Sequence, residues 1–151
     1  MKALIVYDSV YGNTEKIARA IAEAIAPPGE VKVVRAGEAN PSELASVDLL
    51  VVGSPTHAGR PIPGVQGFLN KVPELSLKGV NVAAFDTRIS KKIVGVFGYA
   101  AGRIAGNLKK KGGTLIASPE GFFVTGGEGP LKEGELERAA AWARGISESK
   151  K

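Results

Sequence analysis

The sequence predicts an α/β fold, an open and doubly wound parallel sheet with helices on both faces. Two observations carry the prediction. Short apolar runs recur along the chain, continuous rather than alternating, which is the pattern of strands covered on both sides. Between them lie segments whose apolar residues return with helical spacing, so strand and helix alternate and the connections are right-handed crossovers. No internal repeat, low-complexity tract or linker interrupts residues 1–151, which read as one domain.

The elements follow in order. Ala3–Val6 is the first strand, and after the loop Ser9–Thr14 comes a helix with Ile17, Ile21, Ala24 and Ile25 on its apolar face. Pro27, Pro28 and Gly29 end that helix, because proline cannot continue the hydrogen-bond ladder. Val31–Val34 forms the second strand, Pro41–Ser46 a short helix and Leu49–Val52 the third strand. A helix over Pro63–Val72, a fourth strand over Val80–Phe85 and a helix over Tyr99–Lys111 come next. Thr114–Ala117 begins the fifth strand, and Phe122–Val124 continues it after the interruption Ser118–Gly121. The last helix sets Leu136, Ala140, Ala143 and Ile146 on one face, with Trp142 as packing surface.

Composition narrows the function. An apolar content of 44% in 151 residues builds a sizeable core without staples. The absence of cysteine excludes disulfides and thiol chemistry, and His57 is the only histidine, so no metal set suggests itself. Met1 and Lys2 lead straight into the first strand with no export signal, and no apolar run nears the ~20 residues that span a bilayer. A cytoplasmic protein without membrane contact is expected. The net charge of +5 contains no basic run interleaved with aromatics, so nucleic acid is not an expected partner.

Open sheets of this kind bind ligands beyond the carboxyl ends of their strands, where the strand order reverses. The loops there are "DSVYGNTE", "GSPTHAGRPIP" and "DTRISKKIVGVFGYAAGR". In the first, Gly12 lets backbone approach a ligand, the helix start supplies unpaired N–H groups, and Ser9, Tyr11, Asn13 and Thr14 add side-chain donors. That is a phosphate site in outline, although Ser, Thr and Asn also cap helices with no ligand present. Gly12 lacks the neighbours of a dinucleotide fingerprint, and no G-x-x-x-x-G-K-[ST] string occurs. A phosphoacceptor domain would need an acid closing the third strand, where Gly53 and Ser54 stand instead.

Ser9 to Thr14 together with "GSPTHAG" resembles the flavodoxin family, and the resemblance covers almost the whole chain. It implies a short-chain, flavodoxin-like sheet of five strands in the order 2-1-3-4-5 with FMN at the switch point. The first loop would cradle the FMN phosphate through Ser9, Tyr11, Gly12, Asn13 and Thr14, Tyr11 departing from the family's usual threonine. Ser54, Pro55, Thr56, His57, Ala58 and Gly59 would lie along the ring and ribityl chain, and Asp86, Thr87 and Arg88 would border the ring.

The third loop adds Phe97 and Tyr99 as aromatic candidates, an apolar stretch of Ile93, Val94, Val96 and Phe97, and a basic set of Arg88, Lys91, Lys92 and Arg103. That set would steer a negative substrate or carrier toward the flavin, and His57 is the candidate for a hydrogen bond to reduced flavin or to substrate. The expected function is FMN-based electron transfer to redox partner proteins. The alternative is an oxidoreductase, using FMN or a deazaflavin, that acts on a small acidic or quinone-like substrate, and a scaffold that has lost the cofactor is a third reading.

Overall fold

A computed structural model describes residues 2–25, 29–57, 59–89, 99–126 and 128–150. Among them the strands are β1 Lys2–Tyr7, β2 Glu30–Arg35, β3 Leu49–His57, β4 Arg60–Pro61, β5 Asn81–Ile89, β6 Thr114–Leu115 and β7 Glu120–Val124. The α-helices are α1 Asn13–Ile25, α2 Pro63–Lys71, α3 Ala100–Lys110 and α4 Glu135–Lys150. Strands β2, β1, β3 and β5 lie side by side, all parallel, and β6 and β7 share the far edge of β5. The expected order 2-1-3-4-5 is therefore present, its fifth position divided in two. Val82 pairs with Leu115 and Phe85 with Glu120, so Ile116–Pro119 bulges out between the two halves.

The pleat divides the core. Leu4 and Val6 of β1, Leu50 and Val52 of β3 and Val82 and Ala84 of β5 face α2 and α3, where Phe68, Ile104 and Leu108 meet them. Their neighbours Ala3, Ile5, Leu49, Val51, Ala83 and Phe85 face α1 and α4. A fully buried side chain of this size contributes about 1.5–3 kcal/mol, so both layers are held mainly by these contacts. Trp142 packs edge-on against Phe85 and Phe122, at centroid distances of 6.3 and 6.1 Å, and is packing surface as the sequence suggests.

Three expectations need correction. Strands β3 and β5 run past their apolar runs, to His57 and Ile89. Gly53 stays within β3 because the Phe85 ring lies where a Cβ would stand, 2.1 Å from it, so this glycine marks a close approach and not a turn. Leu136 is 43% exposed, and α4 buries Ala139, Ala143 and Ile146 instead. The short helix Pro41–Ser46 is a 3-10 turn with Asn40 capping Ser42.

Arg138 fastens α4 to β7. Its guanidinium donates to Glu135, to Glu120 and to the Gly121 carbonyl, and lies over the Phe122 ring with 4.6 Å from Cζ to the centroid. Glu135 in turn accepts the Phe123 N–H at 2.7 Å.

Candidate functional site

A cleft opens at the carboxyl ends of β1, β3 and β5, at the switch point. It holds a cavity of about 120 Å³ and is open to solvent on one side. Ser9, Val10, Tyr11, Asn13 and Thr14 line it from the first loop, Pro55, Thr56 and His57 from β3, Thr87, Arg88 and Ile89 from β5, and Val124 from β7.

The first loop is wound by its own side chains. Asp8 Oδ1 accepts the Ser9 N–H at 2.9 Å and the Arg35 guanidinium at 2.8 Å, and Ser9 Oγ accepts the Gly12 N–H at 2.9 Å. The turn puts Gly12 at φ +91, a conformation that costs glycine least. Its carbonyl then accepts the Lys16 N–H at 3.1 Å and starts α1. No described residue accepts from the N–H groups of Val10, Tyr11, Asn13 or Thr14. These donors stand at the positive end of the α1 dipole, the arrangement that receives an anion.

Two further bonds complete this side. Thr14 Oγ1 and Thr87 Oγ1 are 2.8 Å apart and almost fully buried. A hydroxyl pair has two hydrogens and one bond between them, so one O–H remains to donate into the cleft that both residues line. Asn13 Nδ2 donates to the Glu128 carbonyl at 3.1 Å, tying the loop to the segment after β7. Gly129 is required there, since its φ is +99 and a Cβ would stand 2.5 Å from the Asn13 amide.

The opposite side is closed on itself. Asp86, fully buried, receives Arg88 Nε and Nη2 at 2.7 Å each and the Ala101 N–H at 2.9 Å. Thr56 Oγ1 accepts the Ala100 N–H at 3.0 Å, so the first turn of α3 is capped by the ends of β3 and β5. The Arg88 guanidinium stacks on Tyr99, 3.5 Å from its centroid, and packs where a Cβ of Gly121 would otherwise stand.

Several expected residues therefore serve the walls. Ser54 is buried, donating to the Pro55 carbonyl at 2.8 Å and accepting the Ile62 N–H at 3.0 Å, which fixes the entry to α2. Asp86 lies beneath the cleft, its carboxylate committed to Arg88 and α3, and is not among the lining residues. Gly12 shapes the loop, and Gly59 takes φ +79 in the turn between β3 and β4. Ala58, Lys91, Lys92, Ile93, Val94, Val96 and Phe97 lie outside the described residues. The sequence reading assigned no role to Val10, Ile89 or Val124, three apolar lining residues. The length of β5 and the return of β7 beside it would have pointed to the last two.

The sequence profile of the family described as Flavodoxin matches residues 5–142. The chain belongs to the flavodoxin family. Membership implies FMN as the cofactor. A solved flavodoxin from the domain Archaea superposes with a TM-score of 0.83 at 24% identity, over 99% of either chain, a likeness of fold. The uncharacterised protein MJ0732 of Methanocaldococcus jannaschii is 42% identical over 73 residues, covering 45% of this chain and 19% of that one. An NAD(P)H dehydrogenase (quinone) of Brucella anthropi is 31% identical over 100 residues, 52% of this chain and 50% of that one. The chain thus spans between about a fifth and a half of the length of these curated relatives.

The cleft of this family member suits FMN by its own chemistry. A phosphate asks for converging N–H and O–H donors without a fixed cation, and the first loop offers them. A flat ring asks for apolar and aromatic walls, which Val10, Tyr11, Pro55, Ile89 and Val124 provide. Val10 and Tyr11 are more than half exposed at the mouth, side chains that a bound ring would cover.

Proposed function

We propose that the chain holds FMN with its phosphate on the Ser9–Thr14 loop and its ring between the first loop and the ends of β3 and β5, and that it carries electrons to redox partner proteins in the cytoplasm. The observation that carries this reading is the set of first-loop N–H groups with no acceptor among the described residues, beside a buried hydroxyl pair with one hydrogen to give. When bound, FMN supplies one-electron and two-electron transfer. The protein's part is to bind and orient. Thr14 and the loop N–H groups hold the phosphate, while Pro55, Thr56 and His57 form one wall. Arg88, held by Asp86 and Tyr99, forms another without adding a net charge, because its partner carboxylate lies at 2.7 Å.

A visible absorption spectrum, taken after adding FMN and removing the excess, tests the reading. Retained flavin absorbance supports it. A colourless protein would mean that the loop receives another anion or only caps α1.

A second reading has specific support, since His57 and Arg88 both line the cleft and the Brucella relative is named as a quinone dehydrogenase. On it, a small acidic or quinone-like substrate would be reduced at the bound flavin. Saturable turnover that falls in His57→Ala would favour this reading over the carrier. Rapid exchange of electrons with protein partners and slow turnover of free acceptors would favour the carrier.

A further inference from the structure

The first loop takes its shape from an acid. Asp8 Oδ1 accepts the Ser9 N–H at 2.9 Å, and the turn begun there passes through Ser9 Oγ to the Gly12 N–H and into α1. A carboxylate at this point carries a cost, because a phosphate monoester has nearly two negative charges at neutral pH. The N–H groups proposed to receive that phosphate belong to the same turn. Glu15, in the first turn of α1, adds a second acid at the far end of the loop.

One side chain meets both acids. Arg35 ends β2, where it pairs with Tyr7 of β1, and its guanidinium lies 5.4 Å from the centroid of the Tyr7 ring. Nη1 donates to Asp8 Oδ1 at 2.8 Å and to the Ser9 carbonyl at 3.3 Å, while Nη2 stands 3.6 Å from Glu15 Oε1. Arg35 therefore spans the loop from its start to the helix it enters. It does so from behind, since neither Arg35 nor Asp8 lines the cleft. Among the described residues Arg35 is the one cation in an ion pair with Asp8, whereas Glu15 also has Arg19 at 2.9 Å. Lys16, the next cation in sequence, lines the groove between α1 and α4 instead. The other Asp8 oxygen meets the first turn of α2, where a Cβ on Gly64 would stand 1.9 Å from it. Asp8 is thus held among the loop, β2 and the start of α2.

We propose that Arg35 is a positioning residue for phosphate: it screens the Asp8 carboxylate that shapes the first loop, and so lets the loop favour FMN over riboflavin, the same ring without phosphate. Arg35 does not touch the cofactor and acts through Asp8 and the Ser9 carbonyl. The loop keeps the geometry that the carboxylate imposes, and the guanidinium removes most of the repulsion that the carboxylate would exert on an incoming anion. The inference rests on the phosphate reading of this loop. The Arg35 and Asp8 side chains are 42% and 23% exposed, so the effect is that of a surface pair, a few-fold at low salt and small when salt screens it.

The test compares FMN with riboflavin, titrated into the cofactor-free full chain at about 0.01 M and about 1 M ionic strength, where charges are felt over about 30 and 3 Å. Arg35→Gln should weaken FMN about three- to tenfold at low salt and less than about twofold at high salt, with riboflavin affinity unchanged at both. Arg35→Lys keeps the charge and should stay within about twofold of the parent. Asp8→Asn loses the charge but keeps an oxygen for the Ser9 N–H, and should bind FMN at least as tightly as the parent. Combined with Arg35→Gln, it should restore FMN affinity to within about twofold of the parent, because no carboxylate is left there to screen. A structural tie predicts the reverse for Asp8: if Asp8→Asn weakens FMN as Arg35→Gln does, and the double variant stays weak at high salt, the assignment fails. A parent that favours FMN, with a preference that Arg35→Gln leaves intact, would overturn the screen alone. A parent with no preference for FMN over riboflavin would overturn the phosphate reading and the screen together.

Discussion

The two sides of the cleft solve opposite problems with similar residues. On the first-loop side, N–H and O–H donors converge and several have no acceptor among the described residues. On the β5 side, Asp86 accepts from Arg88 and Ala101 and Thr56 accepts from Ala100, so the acceptors there are taken up by the wall and the first turn of α3. Donors left open await a ligand, whereas a closed network positions an element. A substitution on the open side should therefore act first on cofactor affinity, and one on the closed side first on the stability of the protein itself.

Asp86→Ala is the harshest way to break that contrast. It leaves the Arg88 guanidinium, whose side chain is only 15% exposed, without its carboxylate, and it uncaps α3. Loss of one partner of a buried pair costs about 3–5 kcal/mol, and urea unfolding of the cofactor-free chain should show a loss of that size. A loss under about 1 kcal/mol would mean that the β5 side is not a closed positioning network. Gly12→Val attacks the open side, since a β-branched residue is strained at φ +91. FMN affinity should fall at least about a hundredfold, near 2.7 kcal/mol, while stability without FMN falls by about 1–3 kcal/mol from the strain alone. Equal affinity in the variant would remove the phosphate from this loop.

Glu135 sharpens the comparison, because it belongs to a closed network whose members, Glu120, Phe123 and Arg138, do not line the cleft. The Arg138 hydrogen bonds hold its carboxyl below the ordinary value of 4.5, outweighing the burial that pushes it up, with help from the Phe123 N–H. The unfolded chain restores the ordinary value and so takes up the proton at higher pH than the folded chain. The stabilisation is accordingly full above about pH 4.5 and drains away as pH falls through the lower folded value. Glu135→Gln should cost about 2 kcal/mol at neutral pH, and the gap from the parent should narrow below pH 4.5 in unfolding curves taken as a function of pH. FMN affinity should not move.

The contrast also explains what was legible in the sequence. The open side could be read directly, because a ligand-facing loop uses glycine and hydroxyl residues whose chemistry is local, and Ser9 to Thr14 lie within six positions. The closed side could not. Asp86 and Thr87 look like a strand's polar end, yet β5 continues through them to Ile89, and beside the neighbouring Arg88 their side chains find partners at Ala101 and Thr14, residues the sequence does not place nearby. Gly53 and Pro55 look like a loop for the same reason, since the Phe85 ring that explains Gly53 arrives from another strand. Strand and helix positions were legible from apolar runs, whereas the strand order came from the family resemblance. The amphipathic face of α4 was misread by one residue, because alanines at 139, 140, 141 and 143 leave its periodicity weak.

The smallest expected effects test the point where the two sides touch. Thr14 and Thr87 share one hydrogen bond across the cleft floor, so Thr14→Val and Thr87→Val remove the same bond, and each should destabilise the cofactor-free chain by about 1 kcal/mol. They differ in what remains. Thr14 sits in the first turn of α1 and Thr87 in β5, so only the Thr14 hydroxyl belongs to the loop proposed to receive the phosphate. Thr14→Val should therefore weaken FMN by about tenfold, near 1.4 kcal/mol, and Thr87→Val by much less, since Thr14 keeps a hydrogen to donate. In the double variant the stability losses should fall short of additive, because one bond cannot be lost twice. Equal effects of the two single variants on FMN would assign the donating hydrogen to the pair as a whole and move the boundary between the open and closed sides onto β5.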